Sequence, residues 1–311
     1  MKNIFAIFFL TATAGLFAQP AAPAARPPLE ARGTILFIGN SFTFADKSAV
    51  QFYRSPTVTD LNGSGIGGVP ALFKAFANQA GLDFAVSLET SPGKGLDYHM
   101  KEKAAVIDRG WDFVVMHGYS TLDVAKPGDP TLLVSSAKQV AELLHGKNPN
   151  ADIRLVATWS RADQTYPEGV HWKGKPIEAM ALEVRAGYDL AAAGTPFIHG
   201  VIPVGEAWNR AIKTGFADPN PYDGIAANQV DLWAYDHYHA STYGYYLEAL
   251  MDFGDVTGLD PRSLGRNERT AFELGLSPPQ ASALQQIAFD ELMAVKDRAP
   301  LKTFKPIPLP R

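Results

Sequence analysis

Short, mainly apolar runs recur along this chain, with longer segments of helical periodicity between them. The runs are Thr34 to Ile38, Phe84 to Leu88, Phe113 to Met116, Ile153 to Thr158 and Phe197 to Val204. A continuous apolar run of this length, stopped by glycine or polar residues, marks a strand buried on both faces. The intervening segments Val69 to Ala80, Leu132 to Leu144, Ile177 to Ala193 and Tyr243 to Phe253 place apolar residues at helical spacing. Strands alternating with helices of that length argue for βαβ units around a parallel sheet. The sequence contains no internal repeat. The predicted class is therefore α/β.

The chain of 311 residues is long enough to bury a full core. Its net charge is −4, and no basic stripe interleaved with aromatic residues occurs, which argues against a nucleic-acid partner. There is no cysteine, so the fold uses no disulfide, thiol nucleophile or cysteine metal site. A nucleophile would have to be Ser, Thr, Asp, Glu or Lys. No motif for a cofactor appears, and none is expected.

Lys2 followed by the apolar stretch Ile4 to Phe17, with the small Ala18 behind it, reads as a signal peptide over residues 1–18. An uncleaved anchor is the rival reading, but the run is short for a membrane span. Without a cysteine after it, no lipid anchor is expected. The mature product is expected to be periplasmic or secreted, with no stable membrane span after cleavage. Residues 19–32 form an Ala/Pro-rich linker, and residues 33–255 the main domain. The character changes after Gly258, where Asp260-Pro261 breaks the chain. Ser277-Pro278-Pro279 then caps a helix over Gln280 to Val295. Residues 256–311 thus read as a helical extension, packed on the main domain, with an extended tail.

Four segments could carry chemistry. Gly39-Asn40-Ser41-Phe42-Thr43 follows the first strand, where open α/β sheets place their ligands. Ser41 there is either a nucleophile, with its own N–H free for a developing oxyanion, or a helix N-cap. Asp236-His237-Tyr238-His239 puts a carboxylate three residues before an imidazole, so that the carboxylate can fix the tautomer of a general base. A metal held by Asp236, His237 and His239 is a weaker alternative, since no His-Glu-x-x-His helix or cysteine ligand supports it. Ser91-Pro92-Gly93-Lys94-Gly95 follows the second strand, where glycine lets backbone approach a ligand. His117-Gly118-Tyr119-Ser120 follows the third. It resembles part of a nucleophile elbow with Ser120 as the serine, but Leu122 replaces the last glycine.

Taken in order, these segments resemble the blocks of the SGNH (GDSL-type) hydrolases. Those enzymes carry Gly-Asp-Ser after the first strand and Asp-x-x-His late in the domain. The chain looks closest to the bacterial DUF4886-like branch, which begins with Gly-Asn-Ser-Phe-Thr. It shares with that branch a Gly-x-x-Leu-x-x-His stretch, here Gly93 to His99, and a Pro-Val-Gly-x-Ala-Trp stretch, here Pro203 to Trp208. The resemblance spans roughly residues 33 to 255.

It implies a three-layer α/β/α sandwich with a central parallel sheet, and acyl transfer to water through a serine ester. Carried over by position, Ser41 is the nucleophile, His239 the general base and acid, and Asp236 its orienting carboxylate. The N–H groups of Ser41 and Gly93 form the oxyanion hole. His117 stands where the family has Asn or Gln; a neutral imidazole can donate one hydrogen bond there, or it is a satisfied core histidine. Asn40 replaces the usual Asp before the serine. Glu206 and Trp208 read as wall and packing residues. No metal is implied. The expected activity is hydrolysis of a small-molecule or carbohydrate ester, with acetyl groups on polysaccharides the substrate that export and family habit suggest. Two alternatives stand beside it: a hydrolase using Ser120, and a non-catalytic carbohydrate-binding protein on the same fold.

Overall fold

A computed structural model describes residues 32–167, 171–296 and 298–309. The expected signal peptide, and the linker up to residue 31, lie outside the described residues.

The five apolar runs, with a two-residue edge strand that the sequence did not mark, form a six-stranded sheet in the order β2-β3-β1-β4-β5-β6. The strands are β1 (Arg32–Gly39), β2 (Thr59–Asp60), β3 (Asp83–Thr90), β4 (Phe113–Met116), β5 (Asp152–Ala157) and β6 (Ile198–Pro203). Every pairing is parallel. Parallel neighbours need crossovers, and helices supply them. Between strands lie α1 (Gly68–Gln79), α2 (Leu96–Glu102), α3 (Ala104–Ile107), α4 (Thr131–Lys147), α5 (Ala162–Thr165) and α6 (Glu178–Ala193); after the last strand come α7 (Val204–Lys213) and α8 (Thr242–Thr257). The short α9 (Arg269–Glu273) and long α10 (Pro278–Ala294) follow.

Side chains of β1 alternate between two separate cores. Ile35 and Phe37 join the core under α1, α7 and α8, whereas Leu36 and Ile38 join the core under α4 and α6. Helices cover both faces, which is why the strands read as mainly apolar runs. The architecture is the expected three-layer α/β/α sandwich around a parallel sheet. Helix α8 is buried along nearly its whole length, because α10 packs on its outer side and α1 on its flank. Helix α10 thus makes an outer layer over α7 and α8, while α9 packs on α1 and α10. Ser277 and Gln280 cap the start of α10 reciprocally, as the Ser-Pro-Pro signal predicted.

Strand order reverses at β1. From β1 the chain crosses to the edge strand β2, steps back to β3, and then passes over β1 to run outward through β4, β5 and β6. The crevice at the carboxyl ends of β1 and β4 is the topological switch point, where sheets of this kind bind ligands.

Candidate active site

Four loops meet at that crevice. The first leaves β1 at Gly39. A Cβ there would stand 2.2 Å from Thr43 Oγ1 and 2.5 Å from His117 Nε2, so only glycine fits. Asn40 then ties three loops together. Its amide donates to the carbonyls of Lys94 (2.9 Å) and Gly118 (3.1 Å), while its carbonyl accepts from the Phe42 N–H (3.1 Å). An aspartate could not make the two donations. The sequence placed Asn40 only as a departure from the usual Asp; its stitching role needs the fold to be seen.

Ser41 is buried, in a run of turns over residues 41–47, and begins no helix, so it is not an N-cap. Tyr245 of α8 donates its hydroxyl to the carbonyls of Ser41 (3.4 Å) and Asp46 (3.2 Å), and the Asp46 N–H donates to the Ser41 carbonyl (2.9 Å). Behind the serine, Phe42 stacks on Trp159 with centroids 4.0 Å apart, and Trp159 stacks on Trp208 at 4.7 Å. This column is wholly buried. Trp208 is thus a packing residue, as expected, and Glu206 pairs with Arg185 at 2.8 Å. Trp159, the wall directly behind Phe42, carried no signal in the sequence.

The loop after β3 turns at Ser91–Lys94, with Gly93 at φ +65°, a backbone region that glycine alone adopts freely. Ser91 docks it on β1 by donating to the Gly39 carbonyl at 3.0 Å. Its far side is pinned by a buried pair, Glu89 of β3 with His99 of α2, and by Lys103 at 3.6 Å from Glu89. Glu89 was invisible in the sequence, since it sits inside an apolar strand.

The loop after β4 carries His117. Its Nε2 lies 2.7 Å from Thr43 Oγ1, and its Nδ1 3.1 Å from the Gly118 carbonyl. A carbonyl only accepts, so Nδ1 bears the proton and Nε2 receives the Thr43 hydroxyl. Burial pushes the His117 pKa down to about 4, so the ring is neutral near pH 7. Its single N–H is committed to Gly118. Ser120, three residues on, is also buried, and Arg161 Nη1 donates to its hydroxyl at 3.3 Å. A guanidinium cannot accept a serine proton.

The fourth loop precedes α8. His237 is held at φ +56°, and this kink folds Asp236 back toward His239. Asp236 Oδ1 accepts the N–H groups of Tyr238 (3.1 Å) and His239 (3.0 Å), and Oδ2 accepts from His239 Nδ1 at 2.6 Å. Partial burial pushes the Asp236 carboxyl up, but the His239 ring and the two amides together outweigh it and hold the pKa below the ordinary value. His239 Nε2 is buried and makes no hydrogen bond with any described residue. It lies 3.9 Å from Asp46 Oδ2, and the His239 ring meets Phe42 edge-on at 5.7 Å. The turn bearing Ser41 and the Asp236–His239 pair are therefore brought together.

The His237 ring lies against Tyr222 at 4.2 Å. Among the described residues, no group of three His, Asp or Glu side chains is gathered as a metal would need.

Solved structures place this arrangement among known folds. A DUF4886 family protein from Bacteroides uniformis superposes with a TM-score of 0.53 and 15% identity, covering 87% of this chain and 98% of that one. A GDSL-like lipase candidate from Parabacteroides merdae superposes with a TM-score of 0.50 and 17% identity, covering 75% of this chain and 99% of that one. The fold is that of the SGNH hydrolases. No protein-family model and no curated protein matches the sequence. In this SGNH-like fold the four segments singled out in the sequence are the four that converge on the crevice.

Proposed function

We propose that the protein is an exported serine hydrolase that cleaves ester bonds through Ser41, His239 and Asp236. The observation that carries this reading is the state of His239. Asp236 fixes its proton on Nδ1, and its Nε2, buried and unpartnered beside the Ser41 turn, is a lone pair available to a hydroxyl. Catalytic hydrogen bonds commonly close only when substrate is bound. In acylation, Ser41 Oγ attacks the ester carbonyl and its proton passes to His239 Nε2. The same proton then goes to the departing alcohol, leaving an acyl group on Ser41. Negative charge on the carbonyl oxygen would be met by the N–H groups of Ser41 and Gly93. His117, with its N–H spent on Gly118, serves in this scheme to hold Thr43 and the β1 loop.

The acyl ester is taken to sit on a carbohydrate. Tyr235, which precedes Asp236, is 77% exposed, and Tyr222, against His237, is 43% exposed. Tyr166 continues the row, 6.0 Å from Tyr222. Flat rings with polar tips, wet at one end, suit a sugar ring better than a lipid chain. Export rests on the charged start and apolar run of residues 1–18.

The test is covalent labelling with a fluorophosphonate probe, with the labelled peptide mapped. Label on Ser41, and loss of p-nitrophenyl acetate hydrolysis in Ser41→Ala, are expected. Label on Ser120, or full activity in Ser41→Ala, would overturn the assignment. Glycan binding with no labelling at all would mark a non-catalytic protein. Recovery of the native protein in the cytoplasmic fraction with residues 1–18 intact would refute export.

A further inference from the structure

A second carboxylate faces the catalytic imidazole from the side opposite Asp236. Asp46 Oδ2 stands 3.9 Å from His239 Nε2, with about a quarter of the Asp46 side chain exposed. That separation is too long for a direct hydrogen bond. A water oxygen about 2.8 Å from each atom would bridge them with an angle of about 90°. Nε2 makes no hydrogen bond with any described residue, so its lone pair is an unused acceptor beside the carboxylate.

The backbone around Asp46 is built to hold it there. Ala45 (φ +60°) and Lys47 (φ +62°) both adopt the left-handed conformation, which is uncommon for residues other than glycine. Strain of this kind persists where the surroundings over-determine it, and it clusters at functional sites. Here the surroundings are the Asp46 N–H to the Ser41 carbonyl and the Tyr245 hydroxyl to the Asp46 carbonyl. These anchors use only the backbone. On the side chain, Oδ1 accepts the Lys47 N–H at 3.0 Å, and Lys47 Nζ pairs with Oδ2 at 3.6 Å. The Asp46 side chain is itself about a quarter exposed, so its carboxylate is not closed off from water.

We propose that Asp46 positions the hydrolytic water that releases the acyl group from Ser41, an inference that rests on the serine-esterase reading. One water hydrogen points to His239 Nε2 and the other to Asp46 Oδ2. The water oxygen attacks the acyl carbon, and its first proton moves to Nε2. The tetrahedral intermediate then collapses: the bond to Ser41 Oγ breaks, and Oγ takes the proton back from Nε2. The second proton stays on the product acid. Asp46 exchanges no proton; it orients the attacking lone pair. Acylation uses Ser41 in place of this water, so the carboxylate matters chiefly for the second half of the cycle.

The experiment is stopped-flow hydrolysis of p-nitrophenyl acetate by the mature chain, wild type and Asp46→Asn. The ratio of burst rate to steady-state rate should rise about thirtyfold or more in the variant, because deacylation slows more than acylation. Mass spectrometry of the quenched variant should find acetyl on the Ser41 peptide. Hydroxylamine, a nucleophile that needs no general base, should restore about tenfold of the lost turnover. Asp46→Glu, which keeps a carboxylate, should accumulate less acetyl-enzyme than Asp46→Asn. Asp46→Ala, judged by the same ratio, serves if the asparagine variant does not fold. An unchanged ratio, with or without a general loss of rate, would overturn the role of Asp46 and leave the esterase reading standing. No acetyl on the Ser41 peptide in the wild type or in any variant, with turnover retained in Ser41→Ala, would overturn both.

Discussion

Asp236→Asn is the sharpest perturbation of this site, because the structure fixes what the amide would do. The carbonyl of the new side chain can still accept the two backbone N–H groups that Asp236 Oδ1 accepts now. Its NH2 would then face His239 Nδ1, where the carboxylate sits at 2.6 Å. Two donors cannot share that contact, so Nδ1 must become the acceptor and the proton must move to Nε2. In that tautomer the ring cannot receive the Ser41 proton. The charge partner of the imidazolium is lost as well. At a charge separation of about 4 Å and an effective dielectric near 20, that attraction is about 4 kcal/mol. This corresponds to about a thousandfold in rate. The expected result is a fall in kcat/KM for p-nitrophenyl acetate of about a thousandfold, with the melting temperature shifted by only a few degrees. A fall below about tenfold in a well-folded variant would refute the reasoning, since it would mean that His239 works without an oriented proton.

Gly39→Ala should destabilise the protein by about 1–3 kcal/mol, because its Cβ would collide with Thr43 and His117; thermal melting checks this. Glu273 is held down to about 2, chiefly by its hydrogen bond from Arg54, against an ordinary value of 4.5. Its contribution is therefore present above pH 4.5 and lost as pH falls toward 2. Glu273→Gln should melt below the wild type at neutral pH, with the gap closing on acidification across that window. Tyr222→Ala and Tyr235→Ala should each lower the preference for acetylated xylo-oligosaccharide over p-nitrophenyl acetate by about three- to tenfold, read as the ratio of kcat/KM values.

The layers of this fold were legible because helices cover both faces of the parallel sheet, which writes β1, β3, β4, β5 and β6 as mainly apolar runs, broken only at positions such as Glu89, Arg154 and His199. Helix α7 was not legible. It opens on Pro203 and Gly205, which read as loop punctuation; in the fold, proline precedes the first turn and Gly205 lies where a Cβ would meet the Thr158 carbonyl at 2.5 Å. At the site, local pairs were readable and distant ones were not. Asp236 and His239 are three residues apart, so their geometry follows from one turn. Glu89 and His99 meet only because β3 and α2 fold back on each other, and Ser120 finds Arg161 only through β5. Asp46 is the clearest case. In sequence it is one acidic residue in a polar turn, five positions after the serine. Its meaning comes from the left-handed backbone on either side and from an imidazole supplied by residue 239, and neither is written in its neighbours. A residue that acts on the second half of a reaction needs no sequence pattern of its own, because the first half has already fixed where the reacting carbon must lie.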